Sequence, residues 1–403
     1  MKIINISNFI NKFITKRSKS FFESDILKYN SLLEKEIFNK SVLVIGGAGT
    51  IGSSFIKSIL NFKPNKLIVV DINENGLTEL TRDLRSTKNQ FVPKEFKTYP
   101  MSFGDPVFKK MFLSSGPFHI VANFAAHKHV RSEKDQFSIE AMLDNNLFKA
   151  KDLLDLLNKN KPQHFFCVST DKAANPVNVM GASKKLMEEV ILSYSKKFKI
   201  TTARFANVAF SNGSLLDGYL QRIFKQQPIS CPIDVKRFFV SPEESGHICM
   251  LACILGKSGE IFFPKLSEDK MVFFKDITFE FFKELDKDYV ICKDENEAKL
   301  KSINMKNSDP YPVFLFKSDT SGEKLFEEFY TQKDQIDLIK FDSLGVIKNV
   351  NKKSIKEINY LFNKLKNILF DNKASKNQIV NTIKEFIPNF EHFETGRNLD
   401  QKM

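Results

Sequence analysis

The chain has 403 residues, of which 42% are hydrophobic, 27% charged and 12% aromatic. That length and balance exclude a collagen-like, mucin-like or wholly disordered protein and leave room for two or three domains. The net charge of +13 is spread through Lys-, Asn- and Phe-rich sequence rather than gathered in a dense basic stripe, so no nucleic-acid partner is expected.

No run of about 18 apolar residues is present to cross a membrane. The N-terminus lacks the compact apolar core and small-residue cleavage site of a secretory signal. Five cysteines, Cys167, Cys231, Cys249, Cys253 and Cys292, stand at unmatched spacings. An odd, unmatched set reads as reduced thiols in a cytoplasmic protein. Cys249 and Cys253 share a helix face, but no second ligand pair accompanies them, so core thiols are expected and no metal.

In chain order, residues 1–40 are an N-terminal extension. Ile3, Ile6, Ile10 and Phe13 recur there at helical spacing, which predicts a helix docked on a core or a partner subunit in preference to a membrane surface. Residues 41–208 alternate strand and helix signals. Strands are predicted at Ser41–Ile45, Leu67–Val70, Phe96–Tyr99, His119–Phe124, His164–Val168 and Thr201–Val208, with helices from about Thr50, over 139–158 and through Lys184–Ser195. Such alternation predicts an α/β fold, a Rossmann-type doubly wound parallel sheet covered on both faces. Residues 209–330 lose the alternation and read as a smaller α+β substrate-binding domain. Residues 331–403 read as a polar helical C-terminal extension, with Ile355, Ile358, Leu361 and Leu365 at helical spacing.

Gly46, Gly47, Gly49 and Gly52 surround Ala48, Thr50 and Ile51 between the first strand and its helix. Glycines let the backbone approach a pyrophosphate, and the helix start offers free N–H groups to it. Asp71, ending the second strand, stands where a carboxylate holds an adenosine ribose; it would repel a 2′-phosphate, which favours NAD over NADP. Arg82 or Arg85 swinging over the adenosine would leave NADP open. Asp105, after the third strand, is placed near the adenine, and Ala125, after the fourth, beside the cofactor.

Ser169-Thr170-Asp171-Lys172 leaves the end of a buried strand, where ligand chemistry gathers in such sheets. Lys184 follows Met180 by four residues, on one helix face. The glycine loop together with STDKAANPVNVMGASKK resembles the extended short-chain dehydrogenase/reductases, and more narrowly the UDP-N-acetylglucosamine 4,6-dehydratases of bacterial polysaccharide biosynthesis. AAHKHV (125–130), Asn145, RFANV (204–208), SNGS (211–214), KRFF (236–239) and SGEKLFEEF (321–329) extend the resemblance over about residues 40–330. One departure stands out. The superfamily's catalytic tyrosine position is Met180, which can neither donate nor accept a catalytic proton. A subset of the 4,6-dehydratases shares that methionine; its members are commonly large and membrane-anchored, and this chain resembles a soluble, short form.

The resemblance implies oxidation of a UDP-N-acetylhexosamine at C4, loss of water across C5–C6 and reduction at C6, giving a 4-keto-6-deoxy sugar nucleotide with NAD regenerated. It implies Lys172 as base at C5 and Asp171 as acid for the C6 hydroxyl. Thr170 is then at the C4 oxygen and Lys184 at the nicotinamide ribose. Lys128 is a cofactor or sugar contact, Asn207 and Ser211 line the sugar site, and Arg237 meets the pyrophosphate. Glu323 and Lys324 contact the nucleotide, although the arginine that relatives often carry just before them is replaced by Ser318-Asp319-Thr320-Ser321. With Met180 in the phenol position, Asp171 or a water takes the C4 hydroxyl proton. A nucleotide-sugar epimerase on the same fold and a non-catalytic NAD-binding protein are the competing expectations. Flanking helices that pair between subunits imply at least a homodimer.

Overall fold

In the computed structural model, the described residues are 4–303, 305–318, 328–350, 352–369 and 375–392. Six segments form parallel strands: β1 (Ser41–Ile45), β2 (Lys66–Asp71), β3 (Glu95–Pro100), β4 (Ile120–Asn123), β5 (His164–Val168) and β6 (Ile200–Ala203). Every residue of β1, β4, β5 and β6 is buried, as a strand covered by helices on both faces must be. The order across the sheet is β3-β2-β1-β4-β5-β6. Chain direction across the sheet therefore reverses between β1 and β4, and the crevice outside their C-terminal ends is where a doubly wound sheet takes its ligand.

The sheet continues beyond β6. Ile261–Pro264 pairs parallel with β6, Leu344–Lys348 pairs antiparallel with Ile261–Pro264, and Gln335–Asp337 closes that edge antiparallel to Leu344–Lys348. Residues 331–403, expected as a helical extension, thus begin with two sheet strands. Leu344, Val346 and Ile347 are almost fully buried there, because the edge of β-structure beyond β6 needs a partner for its backbone groups. The helices Ile355–Leu369 and Lys376–Phe386 follow and lay Ile358, Leu361, Leu365, Ile379 and Ile383 into the core over the helix Val179–Ser193. The sixth strand also ends earlier than its apolar run. It stops at Ala203, and Asn207–Val208 leaves to pair with Phe239–Val240. The Arg204 amide still bonds the Phe262 carbonyl at 2.8 Å, while its side chain turns into the interior to meet a carboxylate.

A second core gathers Phe210, Leu216, Tyr219, Ile229, Phe239, Phe274 and Phe281 under the three-stranded parallel sheet Tyr289–Cys292, Tyr311–Phe316 and Ile229–Pro232. The N-terminal segment packs into it. Phe9, Ile10 and Ile14 are buried, and the Phe9 ring meets Phe210 and Phe281 edge-on at 6.0 and 5.9 Å. The helix there is a single turn, Ile6–Phe9, continued by a wider turn at Ile10–Ile14, so the buried stripe is Phe9–Ile10–Ile14 rather than the Ile6–Ile10–Phe13 that regular spacing predicts. Arg17 then forks onto Glu244, both bonds 2.8 Å, and fastens this arm to the start of the helix Pro242–Leu255.

All five cysteines are free and buried; burial pushes the Cys167 thiol up to about 11 and Cys253 to about 12, so both stay protonated at neutral pH. Among the described residues no helix is long and apolar enough to cross a membrane, and no group of three His, Cys, Asp or Glu side chains forms a metal-binding cluster.

Candidate active site

The glycine loop turns from β1 into the helix Thr50–Leu60. Gly46 has φ +75°, and a Cβ on it would stand 2.5 Å from the amide nitrogen of Ala125. A Cβ on Gly52 would stand 2.3 Å from the Gly46 carbonyl oxygen. The loop is thus a backbone surface laid against the end of β4, with no room for side chains. Gly49, the residue before the helix, offers no side-chain cap, so the first N–H groups face the crevice. Asp71 ends β2 beside it; its two oxygens accept from the Ala48 and Asn73 amides at 3.0 and 2.9 Å. Asp105 begins the helix after β3 and is exposed, accepting from the Ser102 amide at 2.9 Å. Ala125 donates to the buried Asn123 side chain at 3.0 Å.

A glycine cradle, an uncapped helix start and a carboxylate at the next strand end fit a nicotinamide dinucleotide. Gly46, Gly49, Thr50, Ile51 and Gly52 would hold its pyrophosphate and Asp71 its adenosine ribose. Gly46→Ala forces a non-glycine residue into the left-handed region, at a cost of about 1–3 kcal/mol, and drives its methyl into Ala125. The expected result is a lower urea midpoint and loss of measurable NAD binding in a fluorescence titration.

Residues beside the second core reach over this loop. The Asn212 amide donates to Thr50 Oγ1 at 3.0 Å, and Lys128 Nζ donates to the Asn212 carbonyl at 3.1 Å. Gly213, with φ +73°, lies against the His129 imidazole. The walls around Lys128 lower its pKa by desolvation, which Asp217 opposes. Ser211 is buried, and its carbonyl accepts from the Ser214 amide in the same loop. Asn207 donates its amide to the Phe238 carbonyl, which brings it alongside Arg237, itself buried on the short strand Lys236–Arg237. Glu323 and Lys324 lie outside the described residues.

The turn after β5 carries the titratable groups. Asp171 is 4% exposed, and one of its oxygens, Oδ1, collects three donors: Thr170 Oγ1 at 2.8 Å, the Lys172 amide at 2.9 Å and Lys172 Nζ at 3.1 Å. Thr170, expected at a sugar oxygen, therefore spends its proton on Asp171. Lys184 is 3% exposed and donates to the Val168 carbonyl at 2.8 Å. Burial lowers its pKa, against the pull of Cys167 and Glu188. Met180 is buried at the start of the same helix, where Glu133 accepts the Val179 and Met180 amides at 2.6 and 3.2 Å.

Two buried polar groups at this site escape a reading by motif. Asn146 bonds both the amide and the carbonyl of His127 and reaches Ser183 Oγ, so it locks the segment after β4 to the helix Val179–Ser193. The side chain of its neighbour Asn145, singled out in the sequence, donates to Asn146 Oδ1 at 3.3 Å. Glu188 is fully buried; it accepts from Ser169 Oγ at 2.6 Å and from Arg204 through two bonds at 2.8 and 2.7 Å. Asn146 had a signal: it falls on the apolar stripe Ile139–Leu143–Asn146–Ala150 of its helix, where a polar residue must have a buried partner. Glu188 shares its stripe with Lys184, so spacing alone does not mark it as buried.

The glycine loop on a doubly wound sheet, with Lys184 four residues after Met180 on the helix Val179–Ser193, defines an extended short-chain dehydrogenase/reductase. Within that class, the model of the family described as "Polysaccharide biosynthesis protein" matches residues 42–349, and the chain belongs to that family. It is 30% identical to the uncharacterized membrane protein MJ1061 of Methanocaldococcus jannaschii, over 77% of this chain and 86% of that one. It is 26% identical to the capsular polysaccharide biosynthesis protein CapD of Staphylococcus aureus over 81% of this chain, but spans only 54% of that protein's length. It is 26% identical to an inverting UDP-N-acetylglucosamine 4,6-dehydratase of Campylobacter jejuni, over 58% of this chain and 70% of that enzyme. Among solved structures, the dTDP-glucose 4,6-dehydratase DesIV of Streptomyces venezuelae, with NAD and TYD bound, superposes with a TM-score of 0.55 at 17% identity, covering 73% of this chain and 89% of that one. That likeness is one of fold.

Proposed function

We propose that the protein is an NAD-dependent nucleotide-sugar 4,6-dehydratase acting on a UDP-N-acetylhexosamine, UDP-N-acetylglucosamine first, for polysaccharide or glycan synthesis. The observation that carries the reading is the Asp171–Lys172 pair, an acid and a base 3.1 Å apart on one turn at the ligand edge of the sheet. The Campylobacter relative supplies the reaction and sugar, and the carboxylate of Asp71 favours NAD over its 2′-phosphorylated form.

Bound NAD supplies the oxidation at C4 that acidifies C5–H, and the reduction at C6 that ends the cycle. The chain's own side chains move the protons. Thr170 already donates to Asp171, so its oxygen accepts the C4 hydroxyl proton while its own proton passes to that carboxylate. This relay replaces the phenol that Met180 cannot supply. Lys172 acts in its neutral amine form and takes the C5 proton. Asp171 returns the C4-derived proton to the C6 hydroxyl, which leaves as water, and Lys172 returns its proton to C5. Both groups end as they began. Lys128, Asn207, Ser211 and Arg237 bind the sugar and its pyrophosphate, and Lys184 holds the nicotinamide ribose.

Incubation with UDP-N-acetylglucosamine and mass spectrometry of the product tests the assignment. Loss of one water is expected; a product of unchanged mass identifies an epimerase, and no product at all a binding protein.

A further inference from the structure

The turn that carries Asp171 and Lys172 is held at both ends by one short segment far away in sequence. At its start, Ser169 Oγ donates to Glu188, Glu188 is forked by Arg204, and Arg204 donates onward to the Phe329 carbonyl at 3.0 Å and approaches Asp334 at 4.0 Å. At its far end, Asn175 Nδ2 donates to Glu328 Oε2 at 2.8 Å. Residues 328–334 are a firm support, because the Phe329 ring is buried between Phe238 and Phe263, with centroids 5.3 and 6.2 Å away. The start of the turn is fixed by buried charge. The far end is fixed by a hydrogen bond between two exposed side chains.

We infer that Asn175 and Glu328 are positioning residues, which hold the Asp171–Lys172 turn in register for proton transfer without touching substrate. An exposed pair of this kind contributes little to folding stability. The turn itself is packed, with Asp171, Ala173 and Ala174 buried, so this bond across 153 residues serves to set the placement of its exposed end rather than to hold it on the core. Proton transfer is steep in distance, so a turn freed at one end loses rate where it loses little stability. The inference rests on the assignment of Asp171 and Lys172 as acid and base.

The test compares Glu328→Ala, Asn175→Ala, their double variant and Glu328→Gln in the full chain with UDP-N-acetylglucosamine. The expected result is a fall in kcat of about 10-fold in each alanine variant and no further loss in the double variant. KM, NAD affinity and the thermal midpoint stay at the parent values. Glu328→Gln retains an acceptor oxygen and keeps the parent kcat. Parent turnover in both alanine variants, or losses that multiply in the double variant, overturns the inference. Amide hydrogen exchange over residues 170–175 separates it from the functional reading. If the parent protein turns over no nucleotide sugar, that reading fails, while faster exchange in Glu328→Ala still supports the tie and unchanged exchange overturns it.

Discussion

Lys172→Ala is expected to lower dehydration by about 10²- to 10⁴-fold, the range that one positioned acid or base contributes. The argument is local. Lys172 is half-buried, and its Nζ bonds Asp171, whereas the glycine loop, Asp71 and Lys128 stand on other strand ends. NAD binding should therefore survive the change. In deuterated solvent, the parent enzyme incorporates deuterium at C5, because the C5 proton is removed by an exchangeable amine; the variant should not. Proton NMR of the product and of recovered substrate reads both. Turnover with C5 exchange intact in Lys172→Ala would falsify the assignment of the base. Asp171→Asn should lose the same step from the acid side, since an amide can neither accept the C4 proton nor release one to the C6 hydroxyl.

The second large effect is on stability. Arg204→Met removes the guanidinium that forks onto Glu188 and leaves that carboxylate buried. Breaking a buried pair in this way costs about 3–5 kcal/mol, read as a shift of the urea midpoint. The pH dependence should change sign with it. Burial alone would raise the Glu188 pKa, but the Arg204 fork outweighs it and the net shift is downward. A carboxylate held low when folded adds stability that is fully present above its unfolded value near pH 4.3 and lost as pH falls through the lower folded value. In Arg204→Met burial is left to act, the shift turns upward, and the variant should instead gain stability, relative to the parent, as pH falls through the acidic range. A parent-like pH profile in the variant would show that Lys185 or Ser169 carries the charge compensation.

The glycine loop was legible in the sequence because every requirement on its shape is local. Gly46 and Gly52 are glycine because a Cβ would strike the backbone within a few ångströms, and Asp71 ends the next strand in the same unit. STDK after an apolar run was legible for the same reason: a strand end, a turn and a helix start place Thr170, Asp171 and Lys172 together without help from distant residues. The strand at 344–348 was not. Its five residues carry no period, and they become a strand because Ile261–Pro264 offers an edge. The single-turn arm at residues 6–14 likewise takes its register from Phe210 and Phe281, not from its own spacing.

The sequence by itself determined the parallel α/β order, the phosphate cradle and which side chains stand at the ends of β2 and β5, because these follow from alternation, glycine and short-range spacing. Only the tertiary structure decided that Thr170 donates to Asp171, that Asn146 joins the segment after β4 to the helix after β5, and that Glu188, Arg204 and residues 328–334 brace the Asp171–Lys172 turn. Each of those contacts satisfies a polar group inside or beside the core, and a polar group's partner is set by what the folded chain brings within hydrogen-bond reach, not by its neighbours in sequence.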